Sequence, residues 1–396
     1  MSNVPWLTIL GLGEDGPNAM TPASLKALQS AEFVMGAARH LSLLPEVDAE
    51  LITWPVPFAD GIAQLLELRG KRVVALASGD PFWFGAGSVF ARHLQPDEWT
   101  SIAGPATFSL AAAQMGWPLE NTLCLGLHAA PLSRLRAHLS TGQKCIVLLR
   151  DGAALQELST YISDNGFGDS DLTVLEALGG PRQRVTAFDQ LAEAVQHPVC
   201  VAIDIKGSGP AISKASGKDD ALFANDGQIT KRPIRALTLS ALAPKFGEHL
   251  WDLGTGSGSI AIEWLLSHPS VTATAVEANS ERAARAAHNA MTLGVERLDV
   301  ITAKSIDVLD DLSAPDVVFV GGGLTQELLD ALWNIMPVGC RFVTNAVTLE
   351  SEVIVAQAHA AKGGELMRIE IANSKPLGTK RGWSSVYPIV QWSVTR

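Results

Sequence analysis

Three glycines alternate at Gly254, Gly256 and Gly258 within the stretch WDLGTGSGSIAIEW, and Thr255 and Ser257 lie between them. The stretch joins an apolar, strand-like run to a helix-like one. Glycines at such a junction let the backbone come close to a ligand, and the N-terminus of the following helix adds N–H donors. The spacing therefore predicts a site for a nucleotide-like ligand, with a tight turn that binds nothing as the alternative.

The same glycines bear on which nucleotide is bound. A dinucleotide fingerprint reads G-x-G-x-x-G, whereas this chain reads G-x-G-x-G and has Ser259 where the next glycine would stand, which disfavours NAD. Glu277 ends the next strand-like run, about 20 residues past the glycines, where a carboxylate accepts hydrogen bonds from both ribose hydroxyls. An acidic residue on an exposed loop is the other interpretation of Glu277.

The N-terminal half carries three glycine-containing phrases: ILGLGEDGP from residue 9, SGDPFWFG from residue 78, and AGPATFSLAAAQMGWP from residue 103. Each phrase follows a strand-like run or opens a helix-like one. Gly79 and Asp80 could present backbone and a carboxylate to the polar groups of a ligand, and Thr107 opens a helix. A simple Asp-Pro turn is the alternative for the second phrase.

Strands and helices must position these loops, and the apolar pattern supplies them. Strand-like and helix-like runs alternate along the chain, which predicts an α/β fold with a parallel, doubly wound sheet in the C-terminal half. The predicted strands are 6–10, 72–77, 144–149, 173–176, 199–203, 249–253, 271–276, 299–301, 316–320 and 340–344, and the predicted helices include 22–31, 106–115, 280–293 and 324–335. The last two runs, 365–372 and 384–394, have no helix between them, so they predict an antiparallel hairpin at the sheet edge.

A break in the apolar pattern divides the chain. The stretch between Asp204 and Lys231 is rich in Gly, Ser, Lys and Asp, which is typical of a linker. A length of 396 residues also exceeds the usual size of one hydrophobic core. We therefore predict a first domain at 1–206, a linker at 207–226 and a second domain at 227–396.

Composition limits the function. The net charge of −11 disfavours a nucleic-acid partner, because acidic surfaces repel phosphates. The four cysteines lie far apart, so no metal site or disulfide framework is predicted, and no motif of a hydrolytic triad or zinc helix is present. The sequence shows neither a secretory leader nor an apolar run long enough to span a membrane, which predicts a cytoplasmic protein without membrane contact.

The C-terminal motifs resemble a known family. The phrases DLGTGSG and VEANSERAARAAHNA are similar to the first two motifs of class I S-adenosylmethionine (SAM) methyltransferases. With ITKRPIRALTLSALAP, PDVVFVGGGL and FVTNAVTLES they resemble the methyltransferase and decarboxylase domain of corrin biosynthesis, over residues 227–396. The resemblance implies a Rossmann-like SAM site with contacts from Thr230, from Gly254 to Gly258, from Glu277, and from Ala303, Lys304 and Ser305.

The three N-terminal phrases, in their order and spacing, resemble the tetrapyrrole methylase family over about residues 4–205. That resemblance implies two α/β lobes that bind folded SAM in the trough between them, with contacts from Gly79, Asp80 and Thr107. Members often have Gly-Pro-Gly in the first loop, where this chain has Gly13, Glu14 and Asp15. The resemblance therefore does not extend to the contact that the first loop usually makes with SAM.

Two SAM-type domains in one chain suggest two alkylations of one substrate, because a linker raises the effective concentration of a shared intermediate. The domain order resembles that of the corrin-biosynthesis enzymes that methylate one precorrin at carbons 5 and 15 and remove the ring C acetate carboxylate as carbon dioxide. The implied cofactor is SAM, with one site per domain, and the implied partner is a precorrin. Because tetrapyrrole methylase domains are commonly dimers, the resemblance also implies a homo-oligomer.

Precorrin carboxylates favour basic side chains at a cleft mouth. The candidates are two clusters, Lys231 with Arg232 and Arg235, and Lys380 with Arg381, for which a solvated face is the alternative. Gly322 and Asn345 follow the fourth and fifth strands of the C-terminal half, where ligands gather in open α/β sheets. The sequence identifies no catalytic residue and no proton donor for the decarboxylation.

Other functions remain open from the sequence alone. The same two reactions on a cobalt-containing precorrin are one alternative, and a SAM-dependent methyltransferase of another substrate, such as RNA or protein, is a second. A nicotinamide-dependent oxidoreductase would bind NAD rather than SAM. A non-enzymatic sensor would bind SAM or a tetrapyrrole without turnover.

Overall fold

The structure is a computed structural model that describes residues 5–396, and the chain forms two compact units. Unit 1 takes in the described residues up to Ala130 together with Leu139–Pro210. Unit 2 takes in Pro131–His138 and Ala211–Arg396. In residues 5–396 no helix is long and apolar enough to cross a membrane.

The first lobe of unit 1 is a five-stranded parallel sheet with strand order β3-β2-β4-β1-β5. Its elements are β1 (Leu7–Leu12), α1 (Pro22–Ser30), β2 (Phe33–Gly36), α2 (Ala38–Ser42), β3 (Glu50–Thr53), α3 (Asp60–Glu67), β4 (Val73–Ser78), α4 (Gly87–Ala91), β5 (Trp99–Ile102) and α5 (Thr107–Met115), with a 3-10 helix at Gly16–Ala19. The central strands β1 and β4 are buried along nearly their whole length, as expected for apolar runs covered on both faces.

The second lobe of unit 1 is a mixed sheet with strand order β6-β7-β10-β8-β9. Its elements are β6 (Thr122–Gly126), β7 (Lys144–Leu149), α6 (Ala153–Asp164), β8 (Asp171–Glu176), β9 (Arg184–Ala187) and β10 (Val199–Asp204), with 3-10 helices at Leu119–Asn121 and Phe188–Gln190. Only β6 and β7 pair in parallel, while β10 runs antiparallel to β7 and β8.

Unit 2 is a seven-stranded sheet with strand order β13-β12-β11-β14-β15-β19-β16. Its elements are α7 (Arg232–Leu242), β11 (His249–Leu253), α8 (Ser259–Ser267), β12 (Thr272–Glu277), α9 (Ser280–Thr292), β13 (Asp299–Thr302), α10 (Ser305–Val308), β14 (Val317–Val320), α11 (Gln326–Ile335), β15 (Arg341–Ala346), α12 (Leu349–Lys362), β16 (Glu365–Ile369), β17 (Ala372–Leu377), β18 (Lys380–Ser385) and β19 (Ile389–Thr395), with 3-10 helices at Leu132–His138, Asp220–Leu222 and Leu309–Asp311. The first five strands of the sheet are parallel, and β19 is antiparallel to both neighbours.

Each face of the unit 2 sheet packs on its own hydrophobic core. Successive residues of β11 point to opposite faces, so Leu250 lies in one core and Trp251 in the other. Helix α8 packs within the first core, where Trp264 is fully buried. The predicted doubly wound α/β sheet is therefore confirmed.

The predicted edge hairpin is confirmed only in part. Strands β16 and β19 are antiparallel neighbours at the sheet edge. Between them the chain makes a second, separate ladder of β17 with β18, here called the arm (residues 372–385). Every residue of β17 is exposed, so the arm shows none of the half-buried alternation by which a strand is recognised in a sequence.

The stretch predicted as a linker packs on unit 2 from Ala211 onward. The backbone N–H groups of Gly217 and Lys218 donate to the buried Glu263 carboxylate over 2.7 Å each. An ordered, bonded segment rather than a free linker thus leads into α7, while domain boundaries at 206 and 227 stay predictions.

Candidate functional site

The glycine loop of unit 2 connects β11 to α8 at the carboxyl end of the parallel strands. Gly254, Gly256 and Gly258 all have positive φ angles, of 71°, 59° and 78°. A Cβ on Gly254 would lie 2.6 Å from the carbonyl oxygen of Gly322, in the loop after β14. Side chains are excluded there by conformation and by space, and the loop presents its backbone, as the alternation of glycines predicts.

Two buried polar atoms of this loop have no hydrogen-bond partner among the described residues. They are Oδ1 of Asp252 and the hydroxyl oxygen of Ser257. The other carboxylate oxygen of Asp252 accepts hydrogen bonds from the Thr255 hydroxyl and the Ala261 backbone N–H. Burial raises the pKa of Asp252 to about 6. Unpaired buried polar atoms are costly, so they mark a place where a polar ligand or water completes the bonding.

Glu277 ends β12 beside the glycine loop. Its carboxylate accepts hydrogen bonds from the backbone N–H of Gly256 over 2.9 Å and from that of Asn279 over 3.0 Å, and its side chain is buried. The interpretation of Glu277 as an exposed loop residue is wrong, because both backbone donors fix the carboxylate against the loop. Its placement matches that of a carboxylate that accepts ribose hydroxyls.

The segment ahead of α7 lies against the same loop. The carbonyl oxygen of Gln228 is the atom nearest to where a Gly256 Cβ would stand, at 3.9 Å. Arg282 on α9 fixes this segment by donating to Asp226 and Gln228 over 2.8 and 2.9 Å. Thr230, two residues further on, is half-buried.

Asn289, on the same helix α9, joins two parts of the site that the sequence analysis left unconnected. Its amide nitrogen donates to the carbonyl oxygens of Ser257 and Ala224, and its amide oxygen accepts from the Ala224 N–H, each over 2.9 Å. The residue is 2% exposed. No local pattern singles out Asn289 within the phrase VEANSERAARAAHNA, because its partners lie 32 and 65 residues away.

Arg235 differs from its prediction as a substrate contact. Its side chain is fully buried and its guanidinium bonds to Glu263, to Asp220, and to the carbonyl oxygens of Thr230 and Lys218. Its donors are used within the protein, so Arg235 holds the segment that carries Thr230 rather than facing a substrate. Its neighbours Lys231 and Arg232 are exposed at the start of α7.

The remaining predicted residues lie on several loops of unit 2. Ala303 and Ser305 are half-buried and Lys304 is exposed, directly after β13, and the Ala303 N–H donates to the Glu277 carbonyl oxygen over 3.0 Å. Gly322 is exposed. Asn345 is half-buried, donates to the Thr238 hydroxyl and accepts from Gln391 over 2.9 Å each, so its amide is already engaged.

Lys380 and Arg381 lie on the arm, and both are exposed. The arm leaves the sheet between Ile369 and Ile389, and the register pairs Val390 with Ala346, the last residue of β15. The arm therefore begins at the edge where the parallel strands end and where the glycine loop lies. Strand register therefore places the base of the arm at the edge of the sheet where the glycine loop lies, while Lys380 and Arg381 pair with Leu377 and Pro376 at the far end of the arm.

Unit 1 contains a cavity of about 520 Å³ lined by residues of both lobes. One glycine from each of the three phrases meets the other two next to residues that line the cavity: a Cβ on Gly11 would lie 1.9 Å from the Gly79 carbonyl oxygen and 2.4 Å from the Gly104 nitrogen. Gly79 and Thr107 line the cavity. Asp80 also lines it, and its carboxylate accepts the Phe82 N–H over 2.8 Å, as an Asp-Pro turn does.

The first loop of unit 1, where the chain departs from Gly-Pro-Gly, is occupied by an ion cluster. The Glu14 carboxylate is buried and pairs with Arg39 on α2 in the first lobe and, over 2.8 Å, with Arg182 in the second. A Cβ on Gly180 would lie 2.5 Å from the Glu14 carbonyl oxygen. Glu14 thus joins the two lobes beside the cavity, which no local pattern in the sequence indicates.

The two sites define a class of protein. A glycine loop that opens onto an acidic residue at the end of the second strand, on a sheet with one antiparallel strand near its edge, is the architecture of a Rossmann-like methyltransferase. The family described as "Precorrin methyltransferase domain" matches residues 221–396, and "Tetrapyrrole (Corrin/Porphyrin) Methylases" matches residues 7–194. The protein thus combines two methyltransferase domains of different architecture.

Similarity extends along the whole chain. A curated protein of Sinorhizobium sp, named precorrin-6Y C(5,15)-methyltransferase [decarboxylating], is 42% identical over 99% of this chain and 97% of the relative. A protein of the same name from Mycobacterium tuberculosis is 38% identical over 98% of this chain and 100% of the relative. The solved C-terminal domain of the enzyme from Rhodobacter capsulatus covers 47% of this chain and 100% of its own, at 47% identity and a TM-score of 0.45. This chain belongs to the family of decarboxylating precorrin-6Y C5,15-methyltransferases.

Proposed function

We propose that this chain methylates precorrin-6Y at carbons 5 and 15 and decarboxylates its ring C acetate, which gives precorrin-8X in cobalamin biosynthesis. The observation that carries the proposal is the similarity, at 42% identity over 99% of the chain, to a relative whose name states both carbons and the decarboxylation. The presence of two separate candidate sites, one in each unit, supports two transfers by one chain.

The proposal includes one SAM site in each unit. In unit 2 the backbone of Gly254 to Gly258, the carboxylate of Glu277, Thr230 and the stretch 303–305 would hold the cofactor, and the unpaired atoms of Asp252 and Ser257 fit a polar ligand at this loop. In unit 1, Gly79, Asp80 and Thr107 line the cavity and would serve the same purpose. Bound SAM supplies a methyl group that is already activated on a sulfonium.

The residues of the chain then have to bind, orient and exclude water, because an activated methyl needs no strong nucleophile from the protein. We assign methylation at carbon 15 and the decarboxylation to unit 2, and methylation at carbon 5 to unit 1. On unit 2, Lys231, Arg232, Lys380 and Arg381 are the exposed cations that would receive the substrate carboxylates, with Gly322 at the same strand ends. We assign Arg235 and Asn345 to positioning, since their polar groups bond within the unit.

Incubation of the full chain with labelled SAM and precorrin-6Y tests the proposal. Mass spectrometry should show two labelled methyl groups gained and one carbon dioxide lost. In the same assay Glu277→Ala should abolish the carbon 15 methylation, and Asp80→Asn should slow only the carbon 5 methylation. A wild-type chain that leaves precorrin-6Y unchanged refutes the proposal, and turnover of a cobalt-containing precorrin in its place establishes the alternative substrate.

The proposal extends to the assembly and location of the protein. The homo-oligomeric state, the cytoplasmic location and the lack of a nucleic-acid partner remain predictions from the sequence. Light scattering on the purified chain measures the first, and a mass equal to one chain would contradict it.

A further inference from the structure

Unit 1 holds a cation that none of the sequence motifs indicated. Arg39 lies on α2 and is the sole lysine or arginine among the described residues that line the unit 1 cavity. Much of the remaining lining is aromatic or aliphatic, including Trp54, Phe58 and Trp83. A positive charge in a largely apolar wall needs a compensating partner, because low-dielectric surroundings leave it poorly solvated.

Three contacts hold the guanidinium in place. Arg39 pairs with the buried Glu14 carboxylate, and its Nη2 lies 2.9 Å from Nε2 of His40 and donates over 2.9 Å to the Ser78 hydroxyl oxygen. Burial, together with the nearby Arg39, lowers the pKa of His40 to about 4, so the imidazole is neutral at neutral pH and can accept from Arg39. Of the five N–H groups of a guanidinium, these contacts leave some free for a further acceptor.

The charges of this cluster do not balance. Glu14 carries one negative charge, while Arg39 and Arg182, which both pair with it, carry one positive charge each. His40 adds none, and burial and Arg182 lower the pKa of Arg39 without removing its charge at neutral pH. Taken by themselves Glu14, Arg39 and Arg182 carry a net charge of about +1, and Asp80 contributes a separate carboxylate to the cavity lining, so Glu14 alone does not compensate both arginines.

We propose that Arg39 binds a side-chain carboxylate of the tetrapyrrole in the unit 1 cavity, with Glu14, His40 and Ser78 as the residues that position it. This rests on the proposed function, which makes the substrate of unit 1 a macrocycle with several acetate and propionate groups. The aromatic side chains of the cavity wall can pack against the conjugated macrocycle. Arg39, held in place by its partners, would determine which edge of the macrocycle enters the cavity. Arg39 then determines which ring carbon faces the methyl donor.

The full chain tests this, because its two reactions separate by mass. Arg39→Met and Arg39→Lys are compared with wild type on precorrin-6Y at saturating SAM. Both variants should complete the decarboxylating methylation of unit 2 and accumulate the singly methylated product. We expect the KM for the tetrapyrrole in the carbon 5 methylation to rise roughly ten- to a hundredfold in Arg39→Met, as the loss of a charged hydrogen bond implies, and less in Arg39→Lys.

A matched control separates binding from folding. Arg184→Met breaks another buried ion pair of unit 1, between Arg184 and Glu176, and neither residue lines the cavity. It should lower the stability of unit 1 but leave the KM for the tetrapyrrole near that of wild type. Calorimetry should show that the SAM affinity of unit 1 is unchanged in Arg39→Met.

Three outcomes would overturn the inference. If the KM for the tetrapyrrole is unchanged in Arg39→Met, Arg39 does not contact a substrate carboxylate. If that KM rises equally in Arg184→Met, the effect comes from a loss of stability. A loss of SAM affinity without a change in the KM for the tetrapyrrole would mean that Arg39 binds the carboxylate of SAM instead. If the wild-type chain itself adds no methyl to precorrin-6Y, the proposed function fails. That result differs from a failure of this inference, in which wild type is active and Arg39→Met has the same KM.

Discussion

Replacing Arg235 with Met distinguishes a structural cation from a substrate contact. The substitution keeps the length of the side chain but removes the guanidinium from a fully buried site. Glu263, which is 2% exposed, then loses the Arg235 Nε donor at 2.6 Å and retains the two backbone N–H groups of Gly217 and Lys218. The Thr230 and Lys218 carbonyl oxygens lose a donor as well.

The expected cost follows from this geometry. Removing one partner of a buried ion pair costs about 3–5 kcal/mol, because the other charge stays buried without compensation. The two remaining backbone donors and the nearby Lys218 side chain stabilise the Glu263 carboxylate, so we expect the lower end of that range. The free energy of unfolding of unit 2 should fall by about 3 kcal/mol.

Hydrogen exchange measured by mass spectrometry in the full chain is the assay, since it reports unit 2 peptides separately from those of unit 1. Peptides from α7 and β11 should lose protection by that amount. Arg232→Met is the control: Arg232 starts the same helix and is exposed, so its loss should leave protection unchanged while it raises the KM for the tetrapyrrole. In Arg235→Met with Glu263→Gln, part of the stability should return, because the uncompensated Glu263 charge is removed while the amide oxygen can still accept from the Gly217 and Lys218 N–H groups.

The reverse pattern would refute the reasoning. Suppose that Arg235→Met raises the KM for the tetrapyrrole tenfold or more while the protection of α7 against hydrogen exchange is unchanged. The Arg235 side chain must then reach the substrate, and its buried arrangement is not the functional one. If the double variant is no more stable than Arg235→Met, the uncompensated charge is not the cause of the loss.

Three further variants test the unit 2 site. Asn289→Ala should lower the SAM affinity of unit 2 roughly tenfold, because it frees both segments that the amide joins, while the unit 1 site serves as the internal control in calorimetry. Asp252 has a pKa raised to about 6 by burial, so the wild-type free energy of unfolding without SAM should fall by about 2 kcal/mol as pH rises from about 4 to 6, since the unfolded state releases this proton first. Asp252→Asn should lack that decline, and an identical pH profile would contradict the shift. Lys380→Ser with Arg381→Ser should raise the KM of the decarboxylating methylation without changing SAM affinity, and a change confined to SAM affinity would contradict a substrate contact of the arm.

Much of the scaffold could be predicted from the sequence, since local pattern determines it. Strand β7 and the helices α1, α5, α9 and α11 lie within a few residues of their predicted bounds, because apolar periodicity follows directly from burial on one face or both. The missed elements, such as β9 and the arm, are short or exposed, so their side chains carry no such periodicity. The same limit applies to residues 207–226, which the sequence predicts as a linker and which pack on unit 2 from Ala211 onward.

The turn at the three glycines could be predicted because its requirement is local. Positive φ angles at Gly254, Gly256 and Gly258 follow from the turn itself, and any fold that joins β11 to α8 in this way needs them. The family resemblance added the substrate to this local inference. Gly11, Gly79 and Gly104 each indicate a loop in the sequence. Their mutual contact could not be predicted, because it depends on the order of β1, β4 and β5 in the sheet.

The charged residues mark the limit of the sequence. Arg232 and Arg235 are three positions apart and of the same type, yet one is exposed and the other fully buried, because the partner that compensates Arg235 lies 28 residues away on α8. Arg182 likewise reaches Glu14 across 168 residues. By itself the sequence determined the two methyltransferase domains, through local turns, periodicity and motif order. The tertiary structure decided which cations serve the fold and which face a cavity, because burial and charge compensation are set by neighbours that the chain brings together only on folding.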